Sequence, residues 1–232
     1  MAAPVTEDLK AQLLSAVLPH VAFDGWSETS LRAACQDLNV TRQMAAVACP
    51  RGALDLAVHF HNDGDEKMQI RLQSSDLNAM KIREKISFSL KARLDEISDK
   101  EAVRRGATLM ALPQHAAEGA GLVWCTCDRI WSAIGDSSDD VNWYTKRLTL
   151  SSVYSATLLY WLGDNSPNHE ATWAFLDRRI NNVMQFEKLK ARVNANPLAK
   201  QLLVGPNWLL SKIKAPHSAP SVDLPGHWSR RP

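Results

Sequence analysis

What this 232-residue sequence lacks narrows its options before any motif is read. It has four cysteines, at 35, 49, 125 and 127, with no Cys-x-x-Cys pair and no histidine at a zinc-ligand spacing. Thiols in that pattern read as reduced and buried, the usual state in a reducing cytoplasm. No stretch reaches the ~18 to 20 consecutive apolar residues of a membrane-spanning helix. The start, MAAPVTEDLK, has neither a basic segment before an apolar run nor the Arg/Ser-rich, acid-poor composition of a transit peptide. The expectation is a cytoplasmic protein, soluble or at most peripheral to the inner membrane. Catalytic signatures are missing as well. There is no Gly-rich phosphate loop and no Gly-x-Ser-x-Gly, and no Glu has a His three positions on, the pair that di-iron bundles use. The chain is therefore expected to hold no metal or cofactor, and to assist chemistry performed by another protein.

What is present is core-forming material. Hydrophobic residues make up 45% of the chain and charged ones 22%, enough to bury a sizeable interior. The net charge of +2 hides an asymmetry. Residues 1–64 carry four basic and seven acidic side chains, whereas residues 188–232 carry eight basic ones against Asp223 alone. A basic tail with apolar residues between its charges can meet nucleic acid or an anionic membrane.

Taken in order, the chain reads as helices joined by short turns, so that neighbours run antiparallel. Leu9, Leu13, Leu14, Val17, Leu18 and Val21 recur at spacings of three and four, one buried face of a first helix that Pro19 should end or bend. Ser27 can cap a short helix, Asn39-Val40-Thr41 starts another, and Asp37-Leu38-Asn39 joins them. That arrangement has the shape of a helix-turn-helix, as in TetR-type repressors, over a first region of residues 1–64. Its second helix offers DNA only Arg42 and Gln43 among small or apolar residues, and its surroundings are acidic. Retention as a scaffold suits it better than base readout. His59 and His61 lie about 200° apart around a helix and cannot grip one ion, so they read as surface histidines. Asn62-Asp63-Gly64 punctuates, and a helical bundle follows over 65–190. Ser75-Asp76 caps its first helix and Ser98-Asp99-Lys100-Glu101 its second. Residues 114–134 mix small and large apolar side chains, a pattern that permits close helix contact or leaves room for a ligand, with core packing the favoured reading. Beyond a linker at 191–197, Leu198 to Lys214 alternates apolar and basic residues, and 215–232 is Pro/Ser-rich and reads as disordered.

The densest cluster of large and charged side chains runs from Trp131 to Trp161. Gly135 stops one helix, Ser138 can cap the next, and Asp139 and Asp140 suit the positive end of its dipole. The run GDSSDDVNWYTKR (Gly135 to Arg147), with Asp164-Asn165-Ser166-Pro167 and the segment Thr172 to Ile180, resembles the lipid-binding accessory proteins of ubiquinone biosynthesis. Without a transit peptide, the chain looks like a bacterial member. The resemblance implies an all-α, TetR-like, dimeric fold whose helix-turn-helix has degenerated and whose helical bundle binds a ligand. It implies no DNA function, an isoprenoid quinone intermediate or a phospholipid as ligand, and a di-iron hydroxylase as partner.

On this reading Met110, Leu122, Val123, Trp124, Trp131, Leu150 and Tyr154 should lie near a lipid pocket. Trp143 and Tyr144 match the docking aromatics, with Asp128, Ile130, Asp140 and Arg147 in the same patch. Arg129 stands where the family often has an acid. The family's membrane-resting helix corresponds to Leu198 to Lys214, interrupted here by Gly205-Pro206. Leu202, Leu203, Trp208, Leu209, Leu210 and Ile213, with Lys200, Lys212 and Lys214, would contact an anionic surface. The same residues could instead pack on the body or on a dimer mate. The alternative function is a ligand-responsive DNA-binding regulator of the TetR type.

Overall fold

A computed structural model describes residues 3–195. The segments expected to contact a membrane or to be disordered, 198–214 and 215–232, lie outside the described residues. Within them are nine α-helices and two single turns of 3-10 helix: α1 (Ala3–Asp24), α2 (Glu28–Asp37), α3 (Arg42–Ala48), α4 (Ala53–Gln73), α5 (Ile82–Asp95), α6 (Lys100–Met110), α7 (Ala116–Ala133), α8 (Val141–Gly163) and α9 (Glu170–Ala195).

Helix α1 buries Leu13, Val17 and Val21 along one face, and it does not end at Pro19. A proline inside a helix forfeits one hydrogen bond and crowds the preceding turn, at about 3 kcal/mol. Burying Val17 before it and Val21 after it supplies a comparable gain, so the helix runs on to Asp24. Helix α2 opens on a reciprocal box in which Ser27 Oγ accepts from the Ser30 amide while Ser30 Oγ accepts from the Ser27 amide. Thr41 caps α3 by accepting from the Met44 amide. Between the two, Asn39 adopts a left-handed conformation at φ 52°, which Asn tolerates better than most residues.

Two corrections concern α4 and α5. Asn62-Asp63-Gly64 does not break the chain; α4 passes straight through it. Gly64 is there for space, because a Cβ at that position would sit 2.6 Å from Nη1 of Arg93. The division at residue 64 thus falls inside a helix shared by both halves. The next helix does not begin at Ser75-Asp76, where Asp76 caps only the 3-10 turn Leu77–Ala79. It begins at Ile82, where Glu84 reaches back to the Lys81 amide. For α6 the cap is Asp99, one residue on from the Ser98 of the expected Ser98-to-Glu101 box, and it accepts from the Ala102 amide.

Two buried clusters form the core. One joins α1 to α4 around Leu13, Val17, Leu31 and Leu56, and includes Ala102 of α6. The other gathers α4, α5, α7, α8 and α9 around Met68, Leu90, Leu94, Ile130, Tyr154 and Leu176. Trp26 Nε1 donates to the Ala102 carbonyl at 2.9 Å, and Arg51 reaches both Asp55 and Glu118, so the two halves are tied by directed bonds as well as by α4. No described helix is long and apolar enough to cross a membrane.

Candidate functional site

Where the two halves meet, α1, α4, α5, α6, α7 and α8 wall a cavity of about 990 Å³. Its lining is largely apolar: Leu14, Leu18, Trp26 and Phe60 from the N-terminal half face Val103, Met110, Leu122, Val123 and Trp124. On α8 the lining residues Leu148, Ser152, Ser155 and Leu159 follow one helical face, and both leucines are 65% exposed. The cavity therefore opens along α8, with an apolar rim. A Cβ on Gly119 would come within 2.7 Å of Met110 Cβ, so glycine there permits the close approach of α6 and α7.

Of the residues expected near a lipid, Met110, Leu122, Val123, Trp124 and Tyr154 line this cavity. Trp131 and Leu150 do not. They pack inside the second core cluster, where Trp131 Nε1 donates to the Lys146 carbonyl at 3.2 Å. Their periodic positions mark a buried face, and periodicity does not separate a face lining a void from a face filling one.

The α7–α8 hairpin stands beside the opening. Gly135, at φ 83°, ends α7 with two bonds: its own amide donates to the Ser132 carbonyl, and the Asp136 amide to the Trp131 carbonyl. Asp140, and not Ser138, caps α8 by accepting from the Asn142 amide. Ser138 belongs instead to a cage around Asp136. That carboxylate accepts from Ser138 Oγ at 2.9 Å, Lys146 Nζ at 2.7 Å and Arg147 Nη1 at 3.1 Å. Burial alone would raise its pKa, but these three donors outweigh that and hold it down at about 2. Arg147 also donates from Nε to Asp128 at 2.6 Å and from Nη1 to the Trp143 carbonyl, and its guanidinium lies 3.9 Å from the centre of the Trp143 ring.

Trp143, Tyr144 and the cavity residue Trp124 form one aromatic group. Trp143 and Tyr144 meet edge to face at 4.8 Å between centroids, and Trp124 lies 5.8 Å from Trp143 and 6.3 Å from Tyr144. The two expected docking aromatics are half-buried, while Asp140 is exposed and Asp128 is partly so. Two members of the expected patch are interior. Ile130 is 0% exposed in the second core cluster and Arg147 is 2% exposed, so neither can touch a partner. The basic residue that ends the motif acts inward, holding Trp143 from behind.

Two further expectations are corrected. Cys35, Cys49 and Cys127 are buried, and burial raises the last two thiols to about 11 and about 12, but Cys125 is exposed on the outer face of α7. His61 is not a surface histidine. Its Nε2 lies 2.9 Å from Thr126 Oγ1, which contacts both oxygens of Asp65 at 2.9 and 3.0 Å, and Asp65 accepts from Arg93 Nε at 2.6 Å. Burial depresses the His61 pKa to about 4 although Asp65 opposes the shift. The sequence held only a faint sign of this network: Arg93 falls among the apolar positions of α5, flanked in the helix by buried Leu90 and Leu94. Among the described residues no group of His, Cys, Asp and Glu has an arrangement that could hold a metal ion.

Residues 116–187 match the COQ9 family. The chain is similar to a probable ubiquinone biosynthesis protein coq9, mitochondrial, of Dictyostelium discoideum, at 27% identity over 89% of this chain and 68% of that protein. The mitochondrial ubiquinone biosynthesis proteins COQ9-A of Xenopus laevis and COQ9 of Homo sapiens are 30% and 28% identical to it. Each match covers 77% of this chain, which spans only 58% of each relative's length. Among solved structures, a TetR transcriptional regulator from Nitrosomonas europaea superposes with a TM-score of 0.63 over 75% of this chain and 97% of its own, at 17% identity. The all-α, TetR-like fold and the family resemblance read from the hairpin are both borne out.

Proposed function

From a chain whose residues 116–187 match the COQ9 family, we infer a role in ubiquinone biosynthesis, as a lipid-binding accessory protein that leaves the chemistry to another enzyme. The observation that carries this reading is the cavity. About 990 Å³ of mostly apolar space opens through a leucine rim beside three contiguous aromatic rings. Exposing a polyprenyl chain to water costs ~0.8 kcal/mol for each CH₂, so an isoprenoid quinone intermediate needs such an enclosure to leave a bilayer. Trp143 and Tyr144, braced by Arg147 and touching Trp124, supply a docking surface one side chain away from the ligand. The partner that fits is a di-iron hydroxylase of the same pathway, met at the membrane surface by a homodimer of this chain. The basic, apolar segment from Leu198 to Lys214 is the proposed membrane contact.

Native mass spectrometry of gently purified protein tests the ligand. Isoprenoid quinone intermediates or phospholipid should co-purify, and protein that is empty in every preparation would remove the carrier role. Pull-down of the hydroxylase on liposomes should weaken by at least about tenfold for Trp143→Ala, the range of an interfacial aromatic anchor. Unchanged capture would take the hairpin out of docking. A DNA-binding regulator is less well supported. Helix α3 turns Met44 and Val47 outward, and Arg42 is paired with Glu28. The likeness to a TetR regulator concerns the fold alone.

A further inference from the structure

One group of buried polar side chains serves neither apolar cluster. It sits where α4 crosses between the two halves, as Asp65, Arg93, Thr126 and His61. The Asp65–Arg93 pair is 0% and 4% exposed in its side chains. Desolvating two charges offsets most of what their attraction contributes, so a buried pair of this kind is a poor stabiliser and invites a functional reading.

Arg93 and Tyr154 both line the cavity. Arg93 uses Nε on Asp65 and Nη2 on the His61 carbonyl at 3.0 Å. Its Nη1 and the Tyr154 hydroxyl make no hydrogen bond among the described residues, although Tyr154 is almost wholly enclosed and interacts electrostatically with Arg93. Both residues belong to the cavity lining, and donors left without a protein acceptor on a mostly apolar wall mark a place where a ligand oxygen would complete them. Gly64 keeps Nη1 where it is, since any side chain there would displace the guanidinium.

The charge balance narrows the ligand. Arg93 is matched by Asp65, Lys67 by Asp63 at 2.8 Å, and Glu96 by Arg71 at 3.5 Å. His61 is neutral at ordinary pH. The wall has no uncompensated cation, so a buried phosphate or carboxylate would stand unpaired at a cost of several kcal/mol. An uncharged carbonyl or phenol oxygen carries no such cost.

We propose that Arg93 Nη1 and the Tyr154 hydroxyl form an oxygen-binding subsite for the uncharged ring of a prenylated phenol or quinone. The ring is held on the buried side of the cavity, and its chain lies along the apolar wall toward the α8 rim. This rests on the lipid-carrier reading and adds which end of the lipid is held, and by what. The charge inventory excludes a phospholipid head from this subsite.

Three probes decide it, each titrated into the full-length protein and read by quenching of tryptophan fluorescence, since Trp26 and Trp124 line the cavity. The probes are 2-geranylgeranylphenol, geranylgeranylbenzene, which lacks the oxygen, and phosphatidylglycerol. Wild type should bind the phenol about tenfold more tightly than the benzene, the worth of one or two net hydrogen bonds. Tyr154→Phe, which keeps the ring and should melt near the wild-type temperature, should cut that preference to about threefold or less and leave the benzene unchanged. Arg93→Lys keeps the charge opposite Asp65 and should cut the preference similarly. Equal affinity for phenol and benzene in wild type overturns the subsite, as does a preference that survives both variants. Phosphatidylglycerol losing as much affinity as the phenol in Tyr154→Phe overturns the uncharged-oxygen assignment. If neither prenylated probe binds, the lipid-carrier reading falls and the subsite with it, an outcome distinct from losing the oxygen preference alone.

Discussion

His61 departs furthest from what its surroundings in sequence suggest. Flanked by Asn62, Asp63 and a glycine it reads as surface, yet it sits against Thr126 and Asp65 with its pKa depressed to about 4. The consequence for stability has a definite sign. Unfolded, the imidazole takes a proton near pH 6.5, whereas the folded protein resists protonation until about 4. Between those values the unfolded state binds more protons, so stability is intact above pH 6.5 and falls as pH drops toward 4, by roughly 3 kcal/mol at most. The melting temperature of His61→Gln should therefore fall less than that of wild type between pH 7 and pH 4.5. Parallel curves over that range would assign the acid sensitivity to other groups. Asp136 acts in the same direction lower down, between its ordinary 3.8 and about 2.

At the scale of elements, the α7–α8 hairpin explains why the GDSSDDVNWYTKR run has the composition it has. Gly135 supplies a left-handed turn, Asp140 a cap, and Asp136 the anion that Ser138, Lys146 and Arg147 all address. The acids in the run have separate jobs. With Asp136 made neutral, Arg147 would remain buried with Asp128 alone, and breaking a buried pair in this way costs about 3 to 5 kcal/mol. Asp136→Asn should lower the denaturant midpoint accordingly and change Trp143 fluorescence, because Arg147 packs on that ring. An unfolding free energy within about 0.5 kcal/mol of wild type would show that the cage adds nothing to the fold.

At the scale of the molecule, the two halves are not separable modules. Helix α4 carries Leu56 into the first cluster and Met68 and Leu72 into the second, and Trp26 is bonded to α6 across the join. The cavity belongs to both, since Leu14, Leu18 and Phe60 face Val123 and Trp124 across it. A fragment beginning at Asp65 would cut α4 and expose the apolar faces of α6 and α7 that the first half covers. Circular dichroism should find it largely unfolded or aggregated, whereas a cooperative melt from the fragment alone would restore the two-module description.

Some of this was decided locally. Helical periodicity and a cap such as Ser27 depend on neighbours a few residues away, and so do the turn at Gly135 and the position of Trp143 and Tyr144 at the start of α8. Those features were legible in the chain itself. Others depend on residues far apart in sequence. Pro19 and Gly64 punctuate by local rules, and each is overridden by packing, from Val17 and Val21 in one case and from Arg93 in the other. Ile130 and Arg147 share a motif with exposed residues and yet face inward, and Trp131 fills the core where Tyr154 lines a void. Whether an apolar face meets another side chain or an opening, and whether a charged residue finds its counter-charge inside, is set by what the rest of the fold brings opposite it. Separations of 28 residues for Arg93 and Asp65 and 61 for Thr126 and Asp65 are invisible to a local pattern, and they are where the cavity acquires its polar side.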